Sequence, residues 1–263
     1  MKQSLPSLVK PMAILLAIFL IIYAPYALLG GLLLDDLGFI HPELNHNTYL
    51  SYQQELSRFI TMTARPISAL LHGFAYWNFG SNAALFHGLN LSLFLASIAL
   101  FALSIQRIYT HQLAILVAIF VILYPYCPAT SFASIMMNSN LAAFFWCLAL
   151  YLSTRTFVGK PVVLGCILLF STLSYEPFIP LFFFIACTQI VMHRYSFKPQ
   201  YWLANLMGAV LALTTYGLYK LHIEQWLFQA KFTRVHTHDL SQLFDRLILI
   251  TQHAFKLMFV VAT

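Results

Sequence analysis

The sequence predicts an all-α protein, a polytopic transmembrane helix bundle of about eight spans with amphipathic surface helices in its first outer loop. Three observations carry that prediction. Hydrophobic residues make up 60% of the 263 positions, charged residues only 8%, and the mean hydropathy is +0.78. A soluble domain carries about 25% charged residues. Apolar stretches near bilayer length recur along the chain, separated by short segments bearing Lys or Arg. No polar stretch is large enough for a second folded domain, so residues 1–263 read as one transmembrane domain with outer loops over 35–80 and 220–246.

The first span runs from about Met12 to Leu34, inside a charge-free apolar run that ends abruptly in Asp35 and Asp36. That run is too long for a cleaved signal peptide and lacks an A-x-A-like exit. From His41 to Arg65 the chain is polar. There Tyr49, Tyr52, Leu56, Phe59 and Ile60 recur near helical spacing, which predicts an amphipathic helix on the membrane surface. Pro66 to Trp77 is an apolar helix too short to span, opened by proline at its first position. The second span is expected over about Asn82–Ile105, the third from after His111 to Tyr124, and the fourth over Ser134–Leu152 beyond the Pro125–Pro128 break.

From Pro161 to His193 the only charge is Glu176. One helix of that length would be about 50 Å long, against a hydrocarbon core of about 30 Å, so the stretch predicts a helical hairpin with Glu176 at its tip. Pro177 and Pro180 suit a helix start better than an interior. A seventh span follows over Tyr201–Tyr219, then a polar loop from Lys220 to Arg246 and a last apolar run.

With the N-terminus inside and the spans alternating, Lys2, Lys10, Arg107, Arg155, Lys160, Arg194 and Lys198 fall on the inner side, as the positive-inside rule requires. All eight acids fall on the outer side. The net charge of +6 is scattered between apolar spans and forms no binding stripe, so nucleic acid is not an expected partner. Cys127, Cys147, Cys166 and Cys187 lie in or beside apolar spans without a CxxC pair, and read as buried small hydrophobes.

Several short features, in order, carry a resemblance. They are Asp35-Asp36 after the first span, an outer loop closing in Arg65-Pro66, Phe86-His87-Gly88-Leu89-Asn90-Leu91 opening the second span, and Ser174-Tyr175-Glu176 leading to Pro180. Over roughly residues 12–192 the chain resembles the GT-C class of polytopic glycosyltransferases, including O-antigen glucosyltransferases, which take sugars from polyprenyl-phosphate carriers. Tyr175 stands where related sequences often carry lysine. Members are also usually longer, and the chain stops inside an apolar run, which fits a fragment or a reduced member.

The resemblance implies an inverting transferase on the outer face, with a polyprenyl-phosphate-linked sugar as donor and a glycan or lipid as acceptor. It makes one of Asp35 or Asp36 the base that activates the acceptor hydroxyl. The residues themselves leave two other roles open for the pair: an interfacial stop with a helix cap, or ligation of a divalent cation, the one cofactor considered. Arg65 is a candidate for the carrier phosphate, for locking the acidic loop or for interface anchoring. Glu176 is a candidate acceptor contact, partner to a basic residue or helix cap. Lys231, Arg234, His236 and His238, followed by Asp239, form a second polar cluster suited to phosphate, with a solvated loop as the simpler reading. His87 and Asn90, one turn apart, read as interhelical hydrogen-bonding groups, and Phe74, Tyr76 and Trp77 as an interfacial belt. Two rival readings remain: a transporter, which would need ionisable residues in mid-span, and a non-catalytic membrane subunit.

Overall fold

The computed structural model describes residues 6–30, 65–123, 136–192 and 199–223, all within one compact unit, Met1–Phe228. Gln229–Thr263 forms a second unit outside the described residues. The described residues are all-α. The helices are α1 (Pro6–Leu29), α2 (Pro66–Phe79), α3 (Ala83–Ile108), α4 (His111–Leu123), α5 (Met137–Ser153), α6 (Lys160–Ser174), α7 (Phe182–Met192) and α8 (Pro199–Leu218). A 3-10 turn, Glu176–Leu181, joins α6 to α7, and a π turn, Tyr219–Ile223, ends α8.

Local chemistry sets most boundaries. Pro66 sits in the first turn of α2, where its missing N–H costs nothing. Gly80 ends α2 at φ 57°, ψ −126°, a conformation that glycine alone adopts freely, and it turns the chain into α3. The Asn82 side chain then caps α3 by accepting from the Leu85 N–H at 3.3 Å. Lys160, buried despite its charge, donates through Nζ to the Ser153 carbonyl at 2.7 Å and so satisfies an orphan group at the end of α5.

Among the described residues, α3 is the helix long and apolar enough to cross a membrane. The helices His111–Leu123 and Lys160–Ser174 fall where apolar segments were expected, but are shorter than a membrane-crossing helix. At 1.5 Å per residue they reach about 20 Å and 22 Å. The Glu176 tip lies where the length argument puts it, but α6 and α7 are not each other's main support. Helix α8 packs on both, and α5 also contacts both.

Helices α6 and α8 approach each other closely in the molecule's second core cluster. Side chains on one face of α8 are small (Asn205, Gly208, Ala209, Ala212) and all are buried. A Cβ added at Gly208 would stand 2.8 Å from Leu164 Cβ and 3.1 Å from the Pro161 carbonyl oxygen, neither of which can swing away. Gly208→Ala is therefore expected to destabilise the bundle by about 1–3 kcal/mol, measured by thermal unfolding in detergent micelles. An unchanged midpoint would show that the two helices do not meet this closely.

The first core cluster joins α1, α3 and α4. Phe19, Tyr23 and Phe94 group with ring centroids 4.8–5.9 Å apart, and Tyr23 Oη donates to the Ile122 carbonyl at 2.7 Å. Ile122 is in the last turn of α4, so its carbonyl has no partner within the helix. Tyr23→Phe should cost about 1 kcal/mol through that one bond, with the rings still packed.

Two sequence expectations are corrected. Tyr76 does not belong to an interfacial belt, because it is 3% exposed and packs with Phe86 and Met137. Its neighbours Phe74 and Trp77 are exposed, since a helix turns 100° per residue and carries Tyr76 to the inner face. Cys147 is buried as expected, but Cys166 is exposed on α6, and Cys187 is half-buried.

Candidate functional site

Three segments far apart in sequence meet at one end of the bundle. Arg65 immediately precedes α2, Glu176 opens the 3-10 turn after α6, and Lys220 lies in the π turn after α8. The parallel packing of α6 and α8 delivers the last two to the same level, since Leu164 meets Gly208 and, further along both helices, Glu176 meets Lys220. Arg65 Nε donates to Glu176 Oε2 at 2.9 Å, and Lys220 Nζ stands 3.7 Å from Glu176 Oε1. The first contact is a charge-assisted hydrogen bond; the second is an ion pair beyond hydrogen-bond length.

Aromatic faces carry both cations. The Arg65 guanidinium lies 4.5 Å from the Tyr175 ring centroid, and Lys220 Nζ lies 5.8 Å from that of Tyr216, which stacks on Tyr219. Among the described residues, two cations face one carboxylate here. Arg65 has further N–H donors beyond the one given to Glu176. Arg65 can therefore contact an anion without first releasing Glu176.

Beside this cluster lies a layer of buried amides and hydroxyls. Asn138 Oδ1 accepts from Ser68 Oγ and lies 3.0 Å from His72 Nε2. These bonds tie α2 to the first turn of α5. Asn140 Nδ2 donates to Asn90 Oδ1 at 2.7 Å, which ties α5 to α3 and bears out the reading of Asn90 as an interhelical group. His87 is buried one turn before it.

Of the site residues expected from sequence, Arg65 and Glu176 are brought together. Asp35 and Asp36, the surface helix before Arg65, and Lys231, Arg234, His236 and His238 all lie outside the described residues. Among the described residues no group of three metal-ligating side chains occurs. Sequence reasoning missed Lys220, taken only as the start of a loop, and the tyrosines under the cations. It also missed Ser68 and His72, whose spacing of four on an apolar helix signals one shared face.

No protein-family model, curated protein or solved structure matches this chain.

Proposed function

We propose that the chain is a multispanning membrane glycosyltransferase that moves a sugar from a polyprenyl-phosphate carrier to an acceptor hydroxyl on the outer face of the membrane, in cell-surface glycan modification. The observation that carries this reading is the meeting of Arg65 and Glu176, 111 positions apart, at 2.9 Å. Both were singled out from sequence as members of one outer site. The Arg65 guanidinium, with donors beyond the one given to Glu176, suits a phosphate-bearing donor, and the Asp35-Asp36 pair supplies the base. Tyr175 replaces a lysine common in the resembling family, and Lys220 returns an ammonium to within 3.7 Å of the same glutamate.

Two features support the membrane part. The helices carry large apolar side chains on their outward faces, among them Ile21, Phe120, Phe183 and Met207; a soluble monomer rarely exposes so much. Charge is also uneven along the bundle. Arg107, Arg155 and Lys160 are at one end, whereas Glu176, the sole acid among the described residues, is at the other with Arg65 and Lys220. With that basic end cytoplasmic, the N-terminus is cytoplasmic too and the Arg65–Glu176 site faces out, in a bacterial inner membrane.

The test is transfer of labelled hexose from a panel of polyprenyl-phosphate hexoses in membranes carrying the chain, against Asp35→Asn and Asp36→Asn variants expressed to the same level. Transfer that persists in the doubly substituted chain sinks the assignment. A second reading, a non-catalytic membrane subunit, is favoured by one observation: both oxygens of Glu176 already face cations, as in a purely structural clip. It predicts no transfer from any donor.

A further inference from the structure

The end of the bundle opposite the Arg65–Glu176 cluster holds a second, unassigned arrangement. Tyr151 of α5 is flanked by two guanidinium groups. Arg107, from the last turn of α3, lies 5.4 Å from its ring centroid, and Arg155, just after α5, lies 5.0 Å away and donates to its hydroxyl. Two cations converging on one ring repel each other, and an anion between or beside them relieves that repulsion. The sole described acid, Glu176, is engaged at the far end of the bundle.

At the same end a cavity of about 330 Å³ opens sideways between α3, α5 and α7, lined among others by Phe101, Ile105, Tyr109, Leu150 and Phe184. Two of its polar groups are already used. The indole N–H of Trp146 donates to the Leu181 carbonyl at 3.2 Å, and the Thr188 hydroxyl to the Phe184 carbonyl at 2.8 Å. What remains is a dry slot of the size that takes hydrocarbon. Arg107 falls between the slot residues Ile105 and Tyr109 in the chain, and Tyr151 follows the slot residue Leu150.

We infer that this end of the bundle binds an anionic phospholipid of the inner leaflet, its phosphate on Arg107 and Arg155 and an acyl chain in the slot. The inference rests on the multispanning reading. Charge complementarity selects the headgroup: a zwitterionic lipid would bring a cation to two cations, whereas an anionic one brings only its phosphate.

The experiment uses the full chain purified in detergent micelles, with native mass spectrometry of bound lipid during competition between dioleoyl phosphatidylglycerol and dioleoyl phosphatidylcholine. Two cations near the headgroup predict a preference of roughly 30-fold for the glycerol lipid. Arg107→Gln with Arg155→Gln should bring the two lipids to near parity, Arg107→Lys with Arg155→Lys should keep most of the preference, and Ile105→Trp should lower retention of both lipids. Equal binding of the two lipids by the unaltered chain overturns the proposal without any variant. So does a preference that survives the double glutamine change, or displacement of lipid by millimolar inorganic phosphate, which would mark a free-anion site. Alkaline carbonate extraction separates the two failures: a chain it releases sinks the multispanning reading, and one that stays in the membrane without headgroup preference sinks the lipid site alone.

Discussion

Replacing Asp35 and Asp36 together with asparagine is expected to lower sugar transfer by roughly 10²–10⁴-fold, the range that a positioned general base contributes, with the amount of chain in the membrane unchanged. The single variants divide the roles. If one carboxylate takes the acceptor proton and the other only tunes it, one asparagine reproduces nearly the whole loss and the other a small part. If the pair instead holds a divalent cation, both single variants fall together, chelation abolishes transfer, and added magnesium or manganese restores it. An amide can still cap a helix, so a merely structural pair would survive the exchange with transfer intact.

Removing the charge of Glu176 is expected to lower stability. Glu176→Gln leaves Arg65 and Lys220 facing each other across a neutral amide. The Glu176 side chain is 25% exposed, so the loss falls below the 3–5 kcal/mol of a fully buried pair, at about 1–2 kcal/mol. Exchanging the partners, Arg65→Glu with Glu176→Arg, should recover part of it, and a double-mutant cycle read by thermal unfolding in micelles gives the coupling directly. Lys220→Gln should cost less, because at 3.7 Å it makes no hydrogen bond to the carboxylate. Strict additivity of the Arg65 and Glu176 variants would show that the contact contributes nothing.

Features that depend on a few neighbouring residues were legible before any coordinates. Pro66 at the first turn of α2, the start of α3 at Asn82 and the break at Glu176 each follow from a proline, an amide or a length limit within one segment. The Glu176 tip was read from arithmetic alone: the apolar stretch around it is too long for one crossing. What the sequence hid was partnership. Nothing local says that Arg65 reaches Glu176, because that contact depends on how α2 docks on α6. Lys220 was overlooked because its role follows from the parallel packing of α6 and α8, which depends on the space left by Gly165 and Gly208. Tyr76 was misplaced because composition shows an aromatic cluster but not which member turns inward.

The separation between Arg65 and Glu176 also sets a timetable. Ribosomes add about 5–20 residues per second, so the arginine is made on the order of ten seconds before the glutamate that it will bond, and Lys220 comes later still. During that interval the nascent chain must keep this end of the bundle unlatched, and α2 can settle only against helices that have already emerged. The clip therefore cannot close until Glu176 has emerged, after the contacts among the helices that precede it have become possible.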